Sequence, residues 1–181
     1  MVAKLFLSLL RVSPKFQRAI WKWWYQRLAK RATDSGWTFM NYGYSSINDN
    51  SSLDLKPEDE SDRLFIQLYN YASSQIPLDN RKVLEVGSGR GGGASFVARY
   101  HHPESMTGLD YSSSAIKLSN KIHSNVSNLH FIKGDAENLP FDDNTFDAVI
   151  NVESSHCYGN MRKFINEVHR VLKKGGHFSW V

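Results

Sequence analysis

A short apolar strand that runs straight into glycine is the feature that most restricts how this chain can fold. Val83-Leu84-Glu85-Val86 is followed at once by Gly87-Ser88-Gly89-Arg90-Gly91, and a helical pattern resumes through Ala94-Ser95-Phe96-Val97-Ala98-Arg99. Strand, tight glycine turn and helix in that order predict the first crossover of a mainly parallel sheet. The same alternation continues downstream. Met106–Asp110, Leu129–Ile132 and Phe146–Asn151 read as further strands, and Ser112-Ser113-Ser114 offers hydroxyl caps for a helix through Ile116 and Ile122. Phe164, Ile165, Val168, Val171 and Leu172 mark one face of a later helix. Lys173-Lys174-Gly175-Gly176 is expected to close that helix, with cations at its negative end and a glycine stop. His177-Phe178-Ser179-Trp180-Val181 then begins a fifth strand. Upstream, Pro57-Glu58-Asp59-Glu60 reads as the acidic first turn of a helix whose apolar face is Leu64, Phe65, Leu68, Tyr71 and Ala72.

The bulk properties exclude some classes. With 41% apolar and 22% charged residues over 181 positions, the chain can bury a core and is not wholly disordered. Its one cysteine, Cys157, rules out an intrachain disulfide. The formal charge of +4 is unevenly placed: residues 1–31 carry eight basic side chains and no acidic one, leaving 14 basic against 18 acidic residues in the remainder. The basicity therefore belongs to an N-terminal arm and does not argue for nucleic-acid binding by the body. No run approaches the roughly 20 apolar residues that span a bilayer, and the short run Leu5–Leu10 lacks a cleavage site behind it. A cytoplasmic protein is expected.

Glycines between a strand and a helix lie where open parallel sheets bind ligands. Their spacing alone leaves the ligand open. Gly87, Gly89 and Gly91 form G-x-G-x-G, while Gly87, Gly89 and Gly92 also satisfy the dinucleotide pattern G-x-G-x-x-G. Asp110, at the end of the second strand, can accept hydrogen bonds from a ribose diol in either case. No Gly-x-Ser-x-Gly nucleophile turn is present, and His101-His102 and His156-Cys157 do not make a metal set, so no metal is expected.

Glu85 before the glycines, Gly134-Asp135-Ala136-Glu137-Asn138-Leu139-Pro140-Phe141 after the third strand, Phe146-Asp147-Ala148-Val149, and Glu167–Gly176 together resemble the class I S-adenosylmethionine-dependent methyltransferases. Gly87–Ser95 and Asn151-Val152-Glu153-Ser154-Ser155-His156-Cys157-Tyr158 are most similar to the O-methyltransferases of lipid and polyketide metabolism, the phthiotriolone and phenolphthiotriolone dimycocerosate methyltransferases among them. The resemblance covers Val83 to the C-terminus. It implies an α/β, Rossmann-like sheet and S-adenosyl-L-methionine as cofactor. Its cofactor residues would be Glu85, Gly87, Gly89, Gly91, Asp110, Tyr111, Asp135, Ala136 and Asn151. The Gly87–Gly91 loop would hold the methionine part, Asp110 the ribose, Asp135-Ala136 the adenine, and Asn151 the other face. The acceptor would be a hydroxylated small molecule, with His156 as the preferred base and Glu153 as the acid that orients substrate or His156.

Two further expectations concern the ends of the chain. Phe16, Ile20, Trp23, Trp24 and Leu28 recur at helical spacing among cations, predicting a basic amphipathic helix within a lid-like segment over residues 1–56, ahead of a methyltransferase domain over 57–181. That helix either packs as a lid or rests peripherally on an anionic membrane. Family sheets have seven strands, so a chain ending within the fifth reads as C-terminally truncated, its fifth strand open to a partner chain. A non-catalytic cofactor-binding remnant is therefore an alternative to an enzyme, and an NAD-dependent dehydrogenase is a third reading.

Overall fold

The computed structural model describes residues 37–46 and 53–181. The basic arm and the amphipathic helix expected within residues 1–31 lie outside these residues. A five-stranded sheet in the order β3-β2-β1-β4-β5 forms the centre. Its strands are β1 (Lys82–Val86), β2 (Ser105–Asp110), β3 (Leu129–Lys133), β4 (Phe146–Asn151) and β5 (Leu172–Trp180). All four strand pairs are parallel. A 3-10 turn at Pro57–Asp62 leads into α1 (Arg63–Ser73), and α2 (Gly92–Tyr100), α3 (Ser113–Ile122) and α4 (Met161–Val171) follow. This is the Rossmann-like architecture that the alternating pattern predicts.

β1 is buried on both faces from Val83 to Val86, and its alternating side chains feed two cores. Val83 joins Ile66, Phe96, Val97, Met106 and Ile150 beneath α1 and α2. Leu84 and Val86 face the opposite way, packing with Leu109 and Val149 against Phe164, Val168 and Val171 of α4. Glu85 shares the Val83 face and is fully buried there. Ser112 caps α3 as expected, its Oγ accepting the Ala115 amide at 3.3 Å.

The end of α4 departs from the sequence reading. The helix stops at Val171, and Leu172 is already extended (φ −72°, ψ 136°). Leu172 pairs with Phe146 and His177 with Ala148, so Lys173-Lys174-Gly175-Gly176 is looped out within β5, with Gly175 at φ +79°. The lysines do not cap the helix. Lys173 instead holds both oxygens of Asp147 at 2.9 Å, at the start of β4.

Helix α4 also organises the segment after β3. Glu167 Oε2 accepts the Leu139 amide at 2.7 Å, while Arg170 donates to the carbonyls of Leu139 (2.9 Å) and Phe141 (2.7 Å). From the other side, Glu137 Oε1 accepts the amides of Gly159 (2.8 Å) and Asn160 (3.1 Å). These contacts fix residues 135–141 at the carboxyl edge of the sheet.

Candidate functional site

The carboxyl ends of β1, β2, β3 and β4 converge on a cavity of about 160 Å³. The glycine loop contributes Gly87, Ser88 and Gly89. Asp110 and Tyr111 follow from β2, Asp135 and Ala136 from beyond β3, and Val152, Glu153, Cys157 and Tyr158 from beyond β4. Thr38–Asn41 and Tyr69 complete the wall from outside the sheet.

The loop is shaped by its neighbours. Gly87 has φ +81°, and a Cβ there would lie 2.3 Å from Ser154 Oγ, so only glycine fits. Its amide and that of Ser88 donate to the Leu109 carbonyl at 2.8 and 3.0 Å, tying the turn to β2. Asp110 completes the tie: Oδ2 accepts the Gly89 amide at 2.9 Å and Oδ1 the Ser112 amide at 2.7 Å. Burial raises the Asp110 ionisation to about 6, against the opposing pull of these two amides. From behind, Ser119 Oγ donates to the Gly89 carbonyl at 3.2 Å, and His123 Nε2 lies 3.1 Å from the Arg90 carbonyl. The carbonyl can only accept, so this nitrogen carries the proton.

Of the residues the sequence selected for a cofactor, Gly87, Gly89, Asp110, Tyr111, Asp135 and Ala136 are brought together in the wall. Glu85, Gly91 and Asn151 are not. Glu85 lies behind Tyr69, whose Oη donates to Glu85 Oε1 at 2.7 Å. Burial is the main cause that lifts its ionisation to about 7, with the Asp110 charge adding and the Tyr69 hydroxyl and Ala94 amide opposing. Gly91 makes room for packing, since a Cβ would lie 2.4 Å from the Phe131 ring. Asn151 is fully buried and Nδ2 serves the Val86 carbonyl, Ser154 Oγ and Tyr158 Oη, each at 2.8 Å. Its work is to lock the end of β4 to β1.

The two catalytic candidates also separate. Glu153 lines the cavity in a left-handed conformation (φ +44°), and its Oε2 accepts the Tyr42 amide at 2.7 Å. His156 sits in the short turn Ser155–Cys157, is exposed, and is not among the lining residues. Met40, Tyr69 and Tyr158 are among the wall residues to which the sequence assigns no role. Among the described residues no group of three His, Cys, Asp or Glu is placed to hold a metal ion. No helix among them is long and apolar enough to cross a membrane.

Comparison with known proteins agrees with this geometry. Residues 84–180 match the family described as "Methyltransferase domain". The chain is 44% identical over 163 residues to a phthiotriol/phenolphthiotriol dimycocerosates methyltransferase of Mycobacterium tuberculosis, covering 90% of this chain and 60% of that protein. It is 42% identical over 168 residues to a fatty-acid O-methyltransferase of Mycolicibacterium smegmatis, covering 93% and 61%. The chain thus spans about 60% of the length of these curated relatives. A similar fold occurs in geranyl diphosphate C-methyltransferase of Streptomyces coelicolor, solved with S-adenosyl-L-homocysteine (TM-score 0.66, 19% identity, covering 85% of this chain and 62% of that one). On its sheet order, its glycine loop and the match over residues 84–180, this chain belongs to the class I methyltransferase-domain family.

Proposed function

We propose that the cavity binds S-adenosyl-L-methionine and that the protein O-methylates a hydroxyl on a lipid or polyketide-like small molecule. The observation that carries the cofactor reading is the charge around the glycine loop. Dinucleotide sites place a pyrophosphate on the positive amino end of the helix after the glycines. Here that end already faces a buried carboxylic group: Glu85 lies behind the loop, and the Ala94 amide in the first turn of α2 is among the influences that favour its charged form. Asp110, Asp135, Glu137 and Glu153 line the cavity as well. A wall of carboxylates suits a nucleoside bearing a sulfonium and an ammonium group, and repels two phosphates. In this reading Asp110 holds the ribose, Asp135-Ala136 the adenine, and the backbone of Gly87 and Gly89 the methionine part; their shared place in the cavity wall supports it.

When bound, the cofactor supplies an electrophilic methyl group with a neutral thioether as its leaving group. The chain's share is then alignment and exclusion of water. Tyr69, Tyr158, Phe39 and Val152 give the cavity apolar surface. In this reading Glu153 takes the acceptor hydroxyl's proton; that it lines the cavity and His156 does not supports the choice. A carboxylate at that point favours a neutral alcohol over a carboxylic acid. The relatives' names, one a methyltransferase of phthiotriols and one of fatty acids, support a lipid-like acceptor.

The test is transfer of a radiolabelled methyl group from S-adenosylmethionine to a hydroxylated lipid extract. Glu153→Gln is expected to lower kcat about 100-fold with cofactor affinity retained, and His156→Ala to have little effect. Loss of turnover in His156→Ala alone would reassign the base. Cofactor binding without any transfer would favour the non-catalytic reading.

A further inference from the structure

The glycine run continues past the cofactor loop: Gly93 clears the Tyr69 ring, while Gly92 answers a demand that a nucleoside does not make. A Cβ on Gly92 would lie 2.9 Å from the Thr38 carbonyl oxygen and 3.1 Å from the Phe39 ring, and one on Gly89 would lie 3.2 Å from Met40 Sδ. The crowding atoms all belong to residues 37–42, which also roof the cavity through Thr38, Phe39, Met40 and Asn41.

This segment is fastened at three points. Arg90, in the glycine loop, donates from Nη1 to the Trp37 carbonyl at 2.9 Å, and its guanidinium carbon lies 4.8 Å from the Trp37 ring centroid. Asn41 Nδ2 donates to the Phe65 carbonyl of α1 at 2.9 Å. The Tyr42 amide donates to Glu153 Oε2 at 2.7 Å. Between these points Phe39 is buried against Phe65 and Tyr69, with ring centroids 6.1 and 5.9 Å away.

We propose that residues 37–42 are a strap seated on the glycine run, with Arg90 and Glu153 as its positioning residues, and that it governs exchange of the nucleoside held beneath it. The nucleoside part of this statement rests on the cofactor reading above. Two costly features meet at the strap's fasteners. Arg90 is a permanently charged side chain with 1% exposure, a placement that requires partners. Glu153 holds a left-handed backbone that a non-glycine residue adopts only under constraint. Each is matched to a strap atom. With the strap down, Met40 sits against Gly89 and Thr38–Asn41 wall the cavity, so lifting them widens the way in and out. Lids of this kind set exchange rates.

Two variants test the strap. Gly92→Ala pushes its seat from below, and Glu153→Ala removes the acceptor at its far end. Amide exchange of residues 37–46 in the unliganded protein, and the dissociation rate of S-adenosylhomocysteine by stopped flow, are both expected to rise about tenfold, as for loss of one charge-assisted hydrogen bond. Exchange in β1 and β4 should stay slow, showing that the fold persists. Glu153→Gln, whose amide oxygen can still accept from Tyr42, should restore both rates. Folded variants with wild-type exchange in 37–46, or a loosened strap with unchanged dissociation, would overturn the proposal. A wild-type protein that binds no S-adenosylhomocysteine would overturn the cofactor reading, and the exchange arm would still decide whether the strap is fastened at these points.

Discussion

Glu85→Gln should make the protein more stable at pH 8 and nearly neutral in effect at pH 5. Glu85 is fully buried, with Oε1 satisfied by Tyr69 at 2.7 Å and no hydrogen-bond partner for Oε2 among the described residues. Its ionisation is raised from the ordinary 4.5 to about 7. Below pH 4.5 the group is protonated whether the chain is folded or not. Between 4.5 and about 7 the folded state binds more protons than the unfolded state, so stability falls as pH rises. Above that window the burial cost is complete. At about 1.4 kcal/mol per pH unit, the cost amounts to about 3 kcal/mol. Glutamine keeps an acceptor for Tyr69 and carries no charge, so it removes this cost. Urea unfolding should show a gain of about 3 kcal/mol at pH 8 and under about 1 kcal/mol at pH 5. An equal change at both pH values, or destabilisation at pH 8, would refute the assignment of burial as the dominant cause.

Other substitutions read different parts of the same account. Gly93→Ala puts a Cβ 1.9 Å from the Tyr69 ring and should destabilise by about 3 kcal/mol, measured by denaturant midpoint; an unchanged midpoint would show that Tyr69 does not cross this glycine. Asn151→Ala deletes the donor shared by Val86, Ser154 and Tyr158 and should cost about 2 kcal/mol. Arg170→Met frees the Leu139 and Phe141 carbonyls, so amide exchange in residues 139–141 should quicken while β1 stays protected.

The elements that were legible are those written locally. Phe146–Asn151 carries its strand in five apolar or half-buried positions bounded by turn residues, and Ser112 announces its cap three residues ahead of Ala115. Lys173-Lys174-Gly175-Gly176 misled because cations followed by glycine satisfy a helix stop equally well as a strand bulge. The pairing of Leu172 with Phe146 decided between them, and a register across strands leaves no local mark. The family resemblance assigns Asn151 and Gly91 to the cofactor, at a strand end and in a glycine loop, where ligands bind. In the structure neither lines the cavity: the Asn151 amide donates to the Val86 carbonyl, and a Cβ on Gly91 would meet the Phe131 ring. The strap was hidden for the same reason: its fasteners join residues 53 and 111 positions apart. Tyr69 lies outside the apolar face read for this helix, and nothing local marks its packing on Gly93 or its bond to Glu85.

The acidic cavity at the glycine loop is proposed as a site for S-adenosylmethionine. Titration calorimetry of the folded protein with S-adenosylmethionine, and separately with NAD, tests it most directly. One S-adenosylmethionine should bind per chain and no NAD, with Asp110→Asn weakening the affinity about tenfold through loss of charge-assisted hydrogen bonds. Binding of NAD in preference, or no heat with S-adenosylmethionine from a protein that unfolds cooperatively, would contradict it.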